Sequence, residues 1–69
     1  MLLAQALLNT KKYIKEPIFQ QKEKMWAYRV YKNGRWEEIF FLTEEVAWKA
    51  FYADFRRIKD TLLNNQKVR

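Results

Sequence analysis

The side chains of this 69-residue chain that could perform chemistry are few, because most of the usual reactive types are missing. It has no cysteine and no histidine. That removes disulfides, thiolate zinc sites and the commonest general base. It also has no serine and a single glycine, so neither a serine nucleophile nor a glycine-rich phosphate loop can be built. The acids are Glu16, Glu23, Glu37, Glu38, Glu44, Glu45, Asp54 and Asp60. Glu37 and Glu38 are neighbours in a predicted strand and therefore point to opposite faces, which rules out a carboxylate dyad. Glu44 and Glu45 suit the positive start of a helix. Asp54 and Asp60 have no nucleophile or base beside them. The sequence thus predicts a non-catalytic chain with no metal, no cofactor and no small-molecule substrate.

What remains is cations and aromatics. Fourteen Lys and Arg against eight acids leave a formal charge of +6, and there are three Trp, four Tyr and five Phe. A basic surface of this kind suits phosphate backbones, anionic lipid or an acidic protein. The aromatic content predicts a folded domain rather than a solvated tail. At this length it is a single one with a thin core, for which homodimerisation is a common remedy.

These residues must be positioned by a small number of elements. The helical spacing of Leu3, Leu7 and Ile14 predicts a helix within residues 1–15, stopped by Pro17. Residues 18–42 are predicted to form the sheet. Ile18–Glu23 has no consistently apolar face and reads as an edge strand or a loop. Met25–Leu42 reads as a hairpin around Asn33-Gly34, a pair suited to a type I′ turn. A two-residue loop fixes the register. One face then carries Trp26 opposite Phe41, Tyr28 opposite Ile39 and Val30 opposite Glu37. The other carries Met25 opposite Leu42, Ala27 opposite Phe40, Arg29 opposite Glu38 and Tyr31 opposite Trp36. The first face is expected to be buried and the second partly wet. Thr43 is a good N-cap for a helix over residues 43–64, whose apolar stripe is Ala47, Phe51, Phe55, Ile58 and Leu62. Asn64-Asn65 is expected to end it, leaving residues 65–69 as a basic tail. The expected fold is α+β: an N-terminal helix, a two- or three-stranded antiparallel sheet with a tight hairpin, and a long amphipathic helix packed on one sheet face.

Two surfaces compete as the binding site. On the wet hairpin face, Arg29, Tyr31 and Trp36, with Lys32 and Arg35 near the tip, could enter a DNA groove. Glu37 and Glu38 place opposing charge on the same ribbon. On the flank of the C-terminal helix, Trp48, Lys49, Tyr52, Arg56, Lys59 and Leu63 form an aromatic and basic ridge suited to a protein partner. Lys11, Lys12, Lys15, Lys22 and Lys24 make a third basic cluster around Pro17, read as a solubilising surface. Leu2–Ile14 could lie on a membrane, but core packing is the stronger expectation. Met1–Leu8 lacks the basic start and cleavage site of a signal peptide and is too short to span a bilayer, so a cytoplasmic location is expected.

The segment Trp26–Phe55, WAYRVYKNGRWEEIFFLTEEVAWKAFYADF, resembles the strand–strand–helix part of AP2-like DNA-binding domains, including the arm-site-binding domains of tyrosine recombinases. The likeness lies in the hairpin, the Phe41-Leu42-Thr43 junction, the acidic residues after it, and the alanine- and aromatic-rich helix. It implies that the exposed sheet face contacts the DNA major groove through Arg29, Tyr31 and Trp36, with Lys32 and Arg35. An αβββα double-stranded-RNA-binding plan also fits the element order if Ile18–Glu23 is a strand. The expectation carried forward is DNA binding through the hairpin face, with a protein-interaction module as the alternative.

Overall fold

In the computed structural model, which describes residues 2–67, Asn33 and Gly34 both hold positive φ, at 52° and 82°. That is the backbone a type I′ turn demands, and it locks the hairpin of β2 (Met25–Lys32) and β3 (Arg35–Phe41) into register. Trp26 lies opposite Phe41, Ala27 opposite Phe40, Tyr28 opposite Ile39, Arg29 opposite Glu38, Val30 opposite Glu37 and Tyr31 opposite Trp36. These are the pairings the turn predicts. Leu42 falls beyond the end of β3 and is strongly exposed.

A third strand, β1 (Ile14–Gln20), pairs antiparallel with β2 to give the order β1-β2-β3. This settles the ambiguous segment and corrects the first helix, because α1 spans only Leu3–Thr10. Ile14 sits opposite Val30 with 3% of its surface exposed. Burial of a side chain of that size is worth roughly 1.5–3 kcal/mol, more than the helix propensity of the last predicted turn. Pro17 does not terminate a helix. It lies inside β1, at the register shift between Lys15 and Ile18, where a residue without an N–H is tolerated. Residues 21–24 form the turn to β2.

The second helix, α2 (Glu44–Lys67), starts where Thr43 Oγ1 accepts from the Val46 N–H at 3.3 Å. It runs past Asn64-Asn65 to Lys67, so the predicted end is too early; of the expected tail, residues 68–69 lie outside the described residues. One face of the sheet packs on α2. Ile14, Tyr28, Val30 and Phe51 form the core, bordered by Ile39, Phe41, Trp48, Phe55 and Ile58. Helix α1 packs on α2, with Ala6 and Thr10 buried, and leaves Leu2, Leu3 and Leu8 exposed. The other sheet face carries no element of the described chain.

Candidate nucleic-acid interface

Alternation along the strands decides what stands on the open face. Odd-numbered residues of β2 and even-numbered residues of β3 project there, and the pairing with β1 adds Lys15 and Ile18. Three rows result. Nearest the turn, Tyr13, Tyr31 and Trp36 run side by side across the sheet. Tyr13 and Tyr31 have ring centroids 6.1 Å apart, and Tyr31 and Trp36 5.6 Å apart. Tyr13 is held there because its carbonyl accepts from the Tyr31 N–H at 2.7 Å. The middle row is Lys15, Arg29 and Glu38. The third is Ile18, Ala27 and Phe40, in which Ala27 is buried beneath two exposed neighbours.

The middle row is charged and linked. Arg29 Nε donates to Glu38 Oε2 at 3.3 Å, in a pair that is open to solvent. Such a pair contributes at most about 1 kcal/mol to stability. Lys15 Nζ lies 5.8 Å from the centre of the Trp36 ring, within cation–π range. Lys15, Arg29, Trp36, Glu37 and Glu38 together line an open depression of about 440 Å³. Trp36 is 46% exposed and Ile18 59%, so the face is both basic and apolar without a cover. The lysine cluster read as a single patch is divided: Lys11 and Lys12 lie in the turn before β1, Lys22 and Lys24 in the loop at the opposite end of the sheet, and Lys15 on the face between them. None of the five takes part in an ion pair among the described residues.

Of the predicted hairpin residues, Arg29, Tyr31 and Trp36 are brought together, whereas Lys32 and Arg35 are not. Lys32 follows Tyr31 by one position and so belongs to the covered face, where its Nζ lies 3.9 Å from Asp54 Oδ2 of α2. Arg35 is its cross-strand partner and pairs with Glu37 at 3.7 Å. Their places on the open face are taken by Lys15, Tyr13, Ile18 and Phe40. Phe40 was visible in the hairpin register. The other three depend on β1 starting at Ile14.

The ridge on α2 is also divided. Trp48 is partly buried against Phe51, with centroids 5.4 Å apart, while Tyr52 is 58% exposed. Lys49 pairs with Glu45 at 3.6 Å and Lys59 with Asp60 at 3.7 Å. Leu63 is half-buried and Arg56 is exposed. Tyr52 borders a second groove, of about 470 Å³, floored by Ile14, Phe51 and Phe55 and rimmed by Lys11 and Glu16.

Asp54 ties α2 to the sheet. The Tyr28 hydroxyl donates to Asp54 Oδ2 at 2.6 Å and Arg57 Nε donates to Oδ1 at 3.3 Å. Burial, with the hydrogen bond to Asp54 second, holds the Tyr28 hydroxyl well above the usual tyrosine range. Among the described residues no cluster of three or more acids could hold a metal ion, and no buried side-chain nitrogen or oxygen lacks a partner. No described helix is long and apolar enough to cross a membrane. Compared with protein-family models, curated proteins and solved structures, the chain matches none.

Proposed function

We propose that this chain is a DNA-binding domain that uses the open face of its sheet, with α2 as the scaffold behind it. The observation that carries the reading is the interleaving on one uncovered face of exposed aromatics with Lys15 and Arg29, flanked at both ends by lysines that pair with no acid among the described residues. Aromatic faces meet bases or sugars, and cations spaced along the sheet meet phosphates. The formal charge of +6 would draw the polyanion in, and the Arg29–Glu38 pair offsets the carboxylate at the centre of the face. The AP2-like likeness of Trp26–Phe55 points to the same face.

Salt dependence tests it. Each phosphate neutralised contributes about −0.9 to the slope of log K against log salt on duplex and about −0.7 on a single strand. Lys15→Ala and Arg29→Ala are each expected to weaken binding and to reduce the slope by roughly one phosphate. Binding unmoved by either substitution, or by salt, would sink the proposal. A second reading, a protein partner seated at Tyr52 over the groove beside β1, is favoured by that ring's exposure. It requires Tyr52→Ala to abolish capture of the partner while leaving the sheet face untouched.

A further inference from the structure

We infer that the open face binds single-stranded DNA and that the depression beside Trp36 takes an unpaired guanine. This rests on the DNA-binding reading above and specifies its ligand.

Spacing is the first argument. Successive rows on one face of a strand are about 6.8 Å apart, twice the strand rise per residue. Stacked bases in a duplex advance only about 3.4 Å per strand. Bases that rest on consecutive rows, such as those of Trp36, Glu38 and Phe40, must therefore be pulled out of their stack. A duplex keeps its base faces inside the helix and can present only edges and backbone to these rings. An extended single strand can lay base faces on Trp36, Tyr31 and Phe40, a contact that tolerates any base.

The charged row supplies the second argument. A carboxylate at the centre of a phosphate-binding face is unfavourable unless it meets a donor. Glu38 has about four acceptor positions, and Arg29 occupies one of them while orienting the carboxylate. Guanine is the base with two adjacent donors on its Watson–Crick edge, N1–H and N2–H, which match the two oxygens of a carboxylate. In a duplex those donors are consumed by cytosine, and the guanine edge in the major groove offers only acceptors. Glu38 can therefore use guanine fully only when it is unpaired. Trp36 forms the wall on which the purine stacks, and Lys15, above the same ring, is placed for the neighbouring phosphate.

The test is fluorescence anisotropy of the whole chain with labelled oligonucleotides of about 12 nucleotides, within the usual range for single-strand sites. Four probes are compared: a strand with isolated guanines, the same strand with inosine for guanine, its duplex, and its RNA equivalent. Inosine lacks only the N2 amino group. The guanine strand is expected to bind at least tenfold more tightly than the duplex and several-fold more tightly than the inosine strand. Glu38→Gln should erase the guanine–inosine difference. Trp36→Leu, which keeps apolar bulk but removes the ring face, should weaken every single strand fivefold or more. Thermal melting by circular dichroism separates both effects from loss of fold. Duplex binding equal to or tighter than the single strand overturns the inference and leaves the DNA-binding reading standing. Equal affinity for guanine and inosine strands overturns the guanine site, and tighter binding of the RNA overturns the assignment to DNA. Failure to bind any of the four probes at low salt removes the DNA-binding reading itself.

Discussion

Lys24 holds a φ of 57° at the end of the loop between β1 and β2, where its N–H donates to the Gln20 carbonyl at 2.7 Å. A residue with a Cβ gives up about 1 kcal/mol in that region, so the loop is closed at the expense of local strain. Glycine relieves the strain but costs about 0.5–1 kcal/mol through the freedom it adds to the unfolded chain. Asparagine tolerates the conformation without that added freedom. Lys24→Asn is therefore expected to raise the melting temperature by a few degrees, and Lys24→Gly to change it little. Gly34 is the converse case. A Cβ placed there would meet no atom within 4 Å, yet its φ of +82° makes any L-residue strained. Gly34→Ala is expected to cost about 1 kcal/mol, or roughly 4–8 °C in a domain of this size. Thermal melts of the three variants check both statements, and a stable Gly34→Ala protein would show that the hairpin does not depend on this turn.

Between elements, the contact that most constrains the fold is the junction of β2 with α2 through Tyr28 and Asp54. Asp54→Ala leaves the Tyr28 hydroxyl buried without an acceptor and is expected to cost about 1–3 kcal/mol, whereas Asp54→Asn keeps an acceptor and should cost less. The same junction sets an alkaline limit. An unfolded tyrosine loses its proton near pH 10, and Tyr28 in the folded chain resists to a higher pH. Because the folded-state value is the raised one, its contribution to stability is complete below pH 10. It is lost as pH rises beyond that, by at most about 1.4 kcal/mol per pH unit. Urea midpoints measured from pH 8 to pH 11.5 should therefore fall more steeply for the native chain than for Tyr28→Phe. Parallel curves would show that Tyr28 carries none of the alkaline loss. The sequence was most legible where local chemistry decides the structure. Asn33-Gly34 fixed the hairpin register, Thr43 the start of α2, and both placed Arg29, Tyr31 and Trp36 on one face. It was least legible at Ile14–Gln20, where the helical spacing of Leu3, Leu7 and Ile14 competes with a strand that exists because Val30 needs a partner. That one non-local pairing hid Lys15, Tyr13 and Ile18 from the candidate site. The misplacement of Lys32 was of another kind, since the alternation that put Tyr31 on the open face already assigned its neighbour to the covered one.

Taken whole, the molecule is longer than its chain length requires. Its radius of gyration is 13.3 Å, against about 11 Å for a compact chain of this size, because α2 runs beyond the sheet it covers. A thin elongated domain has little covering to spare, and both edges of the sheet are open. The β1 edge is protected by Pro17 and its register shift, which interrupt the row of donors that another strand would need. β3 has neither proline nor bulge, and its seven residues would accept a second copy of the chain in antiparallel pairing. Its protection is charge. The register that overlaps all seven residues sets Glu38 directly against Glu38 of the copy. Sliding two residues toward the turn sets Glu37 against its own counterpart. Either slide shortens the overlap to five residues, and sliding the other way opposes each glutamate to a phenylalanine. Like charges facing each other across strands are destabilising. Glu38 on this account has two roles, as a binding group on the face and as a guard of the edge, and Glu37 shares the second of them. Glu37→Thr together with Glu38→Thr is expected to self-associate more strongly than the native chain, with an apparent mass that rises with concentration. Glu37→Thr alone should give the intermediate case. Sedimentation equilibrium over a tenfold or wider concentration range reads the difference. A double variant that stays monomeric throughout would show that the β3 edge is guarded by something other than its glutamates.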